Sequence, residues 1–246
     1  MTEFTTDELF DAIDRLVRDV LDRHNVAGPP VDAERLAVEE FDLILREADP
    51  DEDDAQPGRF GPRPPRRPNY REVALRHEMT AEGRQAACAR ACAKALIPRV
   101  LAKLKVPAGG DQQRSAQSQL IGLITPRLLL PTKWFGRDTR KLGHDVLAIK
   151  ALYSTAGYVL IALRMLDVAD DPCVMAVVDD GAVAARRGNQ APAGRTLTKA
   201  EAKAAARAVE TGDPVKVRAD GWTAWGWPVP GGPFNRIILR SVPDDL

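Results

Sequence analysis

The residues of this chain that are best suited to metal chemistry are three histidines and three cysteines. His77 is followed by Glu78, which is how the zinc-peptidase motif His-Glu-x-x-His begins. In that motif two histidines one helical turn apart bind Zn²⁺, and the glutamate activates the water on the metal. Ala81 stands where the second histidine must be. We therefore interpret His77 as a surface histidine and reject it as a metal ligand.

Two of the cysteines, Cys88 and Cys92, are four residues apart and share one face if the segment is helical. Such a pair binds metal or senses oxidation when a third ligand converges on it. The neighbouring residues are alanines, and free cysteine behaves as a small buried hydrophobe. We predict that the pair packs in the interior. Sparse cysteines in odd number, with Cys173 the third, favour a reducing cytoplasm.

The bulk composition excludes two broad classes of partner. The 246 residues contain 35 Lys and Arg and 35 Asp and Glu, so no whole-protein attraction to nucleic acid or to a membrane surface is expected. No apolar run approaches the ~18 residues of a membrane helix, and the first ten residues do not resemble a signal peptide. The composition predicts a cytoplasmic protein without a membrane segment.

Local signals predict several helices. Thr5 with Glu8, and Thr198 with Glu201, have the spacing of capping boxes. The first begins an amphipathic run that reaches about His24, and the second begins an alanine-rich run. Helical periodicity predicts further helices over 32–38, 80–106, 112–130, 144–150 and 158–167. Pro98 has no amide hydrogen to donate, so the helix predicted over 80–106 should kink or restart there.

Strands are predicted mainly in the last third of the chain. The predicted strands cover 41–45, 71–75, 174–178, 182–186, 222–229 and 236–242, and for 41–45 a continued helix stays open. Asp180-Gly181 predicts a hairpin turn, because both turn positions favour positive φ. Together the elements predict an α+β fold.

A charged segment separates the first two predicted strands. Glu47–Gln56 is acidic and Pro57–Pro68 is basic and rich in proline. Neither part can bury enough apolar area to offset the entropy of ordering. We predict a flexible loop over 48–68 that is dispensable for folding. The alternative is a peptide- or nucleic-acid-binding arm, since three arginines lie on a polyproline-like spine.

Several short phrases follow one another in a recognisable order: Gly28–Asp32 before Leu36-Ala37, Arg84–Leu96, Leu128–Pro131 before Trp134-Phe135, and Tyr153–Leu166. In this order they resemble the ImmA/IrrE family of zinc metallopeptidases, over about the first two-thirds of the chain. The resemblance implies a helical zincin-like core over 1–135 and a small helical, helix-turn-helix-like module over 136–170. A small mixed α/β tail would then occupy 171–246.

The family's chemistry needs a His-Glu-x-x-His helix and a carboxylate from the next helix. Alignment on Leu96 places the motif on 90–94. Arg90 and Lys94 then stand where the two histidines are required, and Ala91 stands where the base is required. Alignment on Leu128–Pro131 places the carboxylate at about Ser118. Every ligand is absent, and two cations would repel Zn²⁺. We predict a vestigial site with no catalytic residue, no bound metal and no cofactor.

These patterns favour a degenerate peptidase fold that is catalytically inactive and acts in regulation by binding a protein or peptide. Active members of the family cleave repressor-type regulators, so the resemblance implies a regulatory partner. One alternative is an active zinc endopeptidase whose ligands lie elsewhere. The other is a DNA-binding regulator that uses 144–167. DNA is the less favoured partner, because Tyr158–Leu166 is apolar and Arg164 is its only charged residue.

Overall fold

The computed structural model describes residues 5–48, 72–106, 113–190, 193–232 and 234–244, without the side chains of 113–115. Helices and two separate sheets occur in these residues, which confirms the α+β class. The chain divides into two compact units. Unit 1 comprises Met1–Pro131 and Tyr153–Ala156, and unit 2 comprises Thr132–Leu152 and Gly157–Leu246. The three-part division that the resemblance implies, 1–135, 136–170 and 171–246, stays a prediction.

Unit 1 is mainly helical. Its described elements are α1 (Thr6–Arg23), α2 (Ala33–Glu39), β1 (Ile44–Ala48), β2 (Glu72–Arg76), α3 (Ala81–Lys103) and α4 (Gln113–Leu129). Strands β1 and β2 pair in parallel. The capping box of α1 is formed as predicted, with Thr5 accepting from the Glu8 amide and the Glu8 carboxylate accepting from the Thr5 amide. Asp32 caps α2, because its side chain accepts a hydrogen bond from the Arg35 amide, and Thr80 caps α3 by accepting from the Gly83 amide.

The described part of unit 2 consists of four helices and one antiparallel sheet. Its described elements are α5 (Thr132–Lys141), α6 (Val146–Leu152), α7 (Tyr158–Val168), β3 (Val174–Asp179), β4 (Ala182–Gly188), α8 (Lys199–Thr211), β5 (Val215–Ala219), β6 (Trp222–Val229) and β7 (Arg236–Pro243). The strand order is β4-β3-β7-β6-β5. The predicted Asp180-Gly181 turn is confirmed, with φ of 48° and 82°. A second turn of the same kind, Asp220-Gly221, joins β5 to β6.

Helix α8 packs on one face of this sheet through small residues. Ala200, Ala204 and Ala208 are fully buried against alanine, valine and leucine side chains of the strands. A Cβ placed on Gly226 of β6 would lie 3.1 Å from the carbonyl oxygen of Ala204. Because glycine has no Cβ, the backbone of the helix approaches the sheet closely at this point.

Three sequence predictions need correction. The helix does not restart at Pro98, because α3 continues to Lys103, and a kink there stays a prediction. The carbonyl of Lys94 loses its amide partner, and this residue is exposed, so water can satisfy it. The first strand lies at Ile44–Ala48 rather than 41–45, since Asp42 turns with a φ of 50°. Ala48, predicted as loop, therefore ends β1. The rest of the predicted loop, 49–68, lies outside the described residues.

Candidate functional site

Helix α3 carries three of the four positions predicted to be a vestigial site, and one of its faces is buried. The fully or nearly fully buried residues of this face are Cys88, Ala89, Cys92, Ala93, Leu96, Ile97 and Val100. The prediction that both cysteines pack in the interior is confirmed, and both are free thiols. Burial raises the pKa of Cys88 to about 11 and that of Cys92 to about 12. Neither thiol is therefore poised as a thiolate at neutral pH.

Arg90 and Lys94 project from the opposite side of α3, where both are exposed. Residues four apart on a helix are neighbours, with Cβ atoms about 5–6 Å apart. Ala91 is half-buried beside them. Among the described residues, neither cation has a hydrogen-bond or ion-pair partner. The side of α3 that the alignment assigns to zinc thus presents two adjacent positive charges to solvent.

Ser118, the fourth predicted position, lies on α4 and is exposed. Its neighbours Gln117 and Gln119 are half-buried and exposed, respectively. We keep as a prediction that Ser118 faces Arg90 and Lys94 across a cleft.

Other arginines of α3 are neutralised, in contrast to Arg90. Arg84 donates to Glu34 at 3.3 Å and to Glu47 of β1 at 2.8 Å. Arg99, near the other end of the helix, donates to Glu40 at 2.7 Å. Carboxylates from α2 and β1 therefore flank α3 at both ends, and they leave its middle uncompensated.

Glu40 is the centre of an ion cluster in unit 1. Its carboxylate accepts hydrogen bonds from Arg23 and Arg99, and it lies 3.1 Å from Nε2 of His24. Burial by itself would raise the pKa of Glu40, but the hydrogen bonds from Arg23, Arg99 and His24 outweigh it and lower the pKa to about 2. This cluster ties the end of α1 and the end of α2 to α3.

The histidines do not assemble a metal site in the described part of the chain. His77 is exposed after β2, in accord with its interpretation as a surface residue. His24 belongs to the Glu40 cluster, and burial lowers the pKa of His144, with Arg240 adding to the effect. Across the described ranges, no group of three or more His, Cys, Asp or Glu side chains is placed to hold a metal ion. The predicted lack of zinc stays a prediction.

The segment proposed for DNA reading forms α6 and α7. Arg164, the cation of α7 that would face bases, is 2% exposed. Its guanidinium donates to Asp167 at 2.7 Å and also to Thr132. Helix α7 packs on β3 and β7. This arginine is therefore committed to packing within unit 2, which disfavours α7 as a recognition helix.

A buried arginine that the sequence analysis missed lies on the sheet of unit 2. Arg240 of β7 is 9% exposed and lies over the ring of Trp225 at 5.3 Å, while Lys216 approaches the same ring at 4.9 Å. Burial lowers the pKa of Arg240. Each of these residues faces the next across paired strands. Strand pairing reveals this arrangement, because the three residues lie on three different strands.

Comparisons with known proteins place the fold but not a family. No family model matches the chain, and no curated protein matches it. A solved structure described as a Mycobacterium tuberculosis transcriptional regulator is similar, with 13% sequence identity and a TM-score of 0.57. The match covers 95% of this chain and 79% of that one. At this identity the likeness shows a shared fold. Within the described residues no helix is long and apolar enough to cross a membrane.

Proposed function

We propose that the protein is a regulatory protein with an ImmA/IrrE-type peptidase fold that binds a protein or peptide partner at α3 and does not cleave it. The observation that carries this proposal is the pair Arg90 and Lys94, exposed and without a counter-charge among the described residues. These residues stand where the resemblance requires the two zinc-binding histidines.

Electrostatics argue against zinc at this place. Two unit charges 4 Å apart interact by about 4 kcal/mol at an effective dielectric of 20, and a divalent ion doubles that order of magnitude. Ala91 removes the general base as well, because its methyl group carries no proton acceptor. The same positive charges attract a carboxylate of a partner. A regulatory role is supported by the description of the similar structure as a transcriptional regulator.

A capture experiment with two charge-reversal variants tests partner binding. The full-length protein is used as bait, and Arg90→Glu/Lys94→Glu is compared with Lys203→Glu/Arg207→Glu. The second pair is a matched control, because both residues are exposed and four apart on α8. We expect the first variant to lose a partner that the wild type and the control retain. Retention by all three proteins would contradict the proposal.

Elemental analysis tests the loss of peptidase chemistry. We expect the purified protein to contain far less than one zinc per chain and to hydrolyse no peptide. Stoichiometric zinc that is lost when His24, His77 or His144 is replaced would contradict this expectation and favour the active zinc endopeptidase.

A further inference from the structure

Charge is distributed unevenly along unit 1, although the whole chain is neutral. Helix α3 contains five Lys and Arg residues and one acidic residue, Glu82 in its first turn. Residues 5–48 contain twelve carboxylates and five arginines. Some of these opposite charges pair with each other, because Arg84 and Arg99 form ion pairs with carboxylates of the 5–48 segment. Arg90 and Lys94, which we call the cation ridge, keep their charge uncompensated among the described residues.

A row of small side chains runs beside the cation ridge. Ala87, Ala91 and Ala95 are spaced by four residues and are all half-buried. Ala87 precedes Arg90 by three residues and Ala91 precedes Lys94 by three, so the alanine row is adjacent to the ridge on the helix surface. Methyl groups let a second backbone approach the helix closely. The cation ridge and the alanine row together form a surface on which positive charge lies beside small apolar side chains.

We propose that the cation ridge binds an extended acidic segment of a partner protein in which two carboxylates are two residues apart. This inference rests on the proposed function and names the chemistry of its partner. Alternate residues of an extended strand point to the same side and are about 6.4–6.8 Å apart. The Cβ atoms of Arg90 and Lys94 are about 5–6 Å apart along the helix, so a segment parallel to α3 pairs each carboxylate with one cation.

The limited length of the ridge favours a short acidic segment over nucleic acid. Arg84 and Arg99, on either side of the ridge along α3, are already paired with Glu34, Glu47 and Glu40. Neither arginine therefore adds an unpaired positive charge to the ridge. Binding to nucleic acid draws its affinity from neutralising many phosphates, about 6–10 in a strongly salt-dependent binder, whereas the ridge offers two charges. A segment with two carboxylates uses both and extends no further.

The test is an NMR titration of the full-length protein with synthetic peptides. The test peptide has Glu-Val-Glu between glycine and serine residues. Two control peptides have Gln-Val-Gln or Glu-Glu-Val in its place. We expect the amide signals of Ala91 and Ala95 to shift, with saturation only at roughly tens of millimolar Glu-Val-Glu, because exposed ion pairs are individually weak. We expect at least about threefold weaker binding of Glu-Glu-Val, none of Gln-Val-Gln, and weaker binding at higher salt because exposed charges are screened.

Two variants complete the titration. Arg90→Gln/Lys94→Gln should abolish the shifts, while Lys203→Gln/Arg207→Gln should retain them. Equal shifts in the ridge variant, an absence of saturable shifts in the wild type, or stronger binding of a short DNA duplex at the same salt would overturn the acidic-segment proposal. If the peptides fail but the captured partner still depends on Arg90 and Lys94, only this inference falls. If the partner is also indifferent to the ridge, the proposed function falls with it.

Discussion

At the scale of single residues, the same residue type has opposite roles in two places on α3. Arg99 is paired with Glu40, whereas Arg90 is exposed to solvent. The sequence predicts the spacing of the cations, because helical periodicity is local. It does not predict which of them is paired, since Glu40 is 59 residues from Arg99 in the chain. Pairing depends on how α2 packs on α3.

Replacement of Glu40 by Gln should destabilise the protein by about 2 kcal/mol at neutral pH, because hydrogen bonds from charged donors are lost. The pKa of Glu40 is about 2 when folded, below its ordinary value. The carboxylate therefore stabilises the fold at pH values above its unfolded pKa, and this stabilisation disappears as the pH falls through the folded pKa. The difference between wild type and Glu40→Gln in urea unfolding should shrink from about pH 4.5 towards pH 2.

A matched control is available next to it. Glu39 is exposed, pairs with Arg35 one turn away on α2 and also lies 3.3 Å from Nδ1 of His24. Glu39→Gln should cost at most about 0.5 kcal/mol, as is usual for exposed pairs. Equal losses for the two variants would mean that Glu40 is not the centre of the cluster.

At the scale of elements, predictions succeeded where the signal lies within a few residues. Capping boxes begin α1 and α8, and Asp180-Gly181 turns β3 into β4. Two elements were missed. Helix α5 begins at Thr132, where no helix was predicted, and the five-residue strand β5 alternates too briefly to be recognised. Its position at the edge of the sheet is fixed by pairing with β6.

The alignment of α3 and α4 with a zinc peptidase is testable by rebuilding the site. Arg90→His, Ala91→Glu, Lys94→His and Ser118→Glu together restore two histidines one turn apart, a base and a third ligand. We expect the quadruple variant to bind one zinc ion in calorimetric titration, while the wild type binds none. Peptidase activity need not return, because a site about 1 Å too loose commonly fails.

A control variant separates the third ligand from the rest. The same three changes on α3 combined with Gly122→Glu place the carboxylate one turn further along α4. Gly122 is suited to this, since it lies on α4 and a Cβ there meets no atom within 4 Å. Tighter zinc binding by this control would shift the alignment by a turn. A folded quadruple variant without zinc affinity would contradict the assignment of Ser118.

At the scale of the whole molecule, the α+β class could be predicted, but the division into units could not. Unit 1 includes Tyr153–Ala156, although the chain before and after this segment belongs to unit 2. Tyr153 and Ala156 are fully buried. No local pattern marks such a return, because membership of a unit is decided by contacts between residues distant in the sequence. The sequence analysis predicts no strand order for the sheet of unit 2, for the same reason.

The interleaved units predict how the chain responds to truncation. A fragment of residues 1–131 should unfold at lower urea concentration than unit 1 does in the full chain, because it lacks Tyr153. Tyr153→Ala in the full chain should cost about 3 kcal/mol, as is typical of large buried side chains. Tyr158→Ala is the control and should cost less, since Tyr158 is half-buried. A fragment as stable as intact unit 1 would contradict this expectation.

The return of Tyr153–Ala156 to unit 1 also has a consequence for synthesis on the ribosome. Domains of a nascent chain generally fold in order from the N-terminus, while translation adds about 5–20 residues each second. Unit 1 cannot be completed until residue 156 has left the exit tunnel, and by then α5 and α6 of unit 2 have already emerged. The first unit to begin folding must therefore wait for part of the second, and its nearly finished core is exposed to chaperones during that interval.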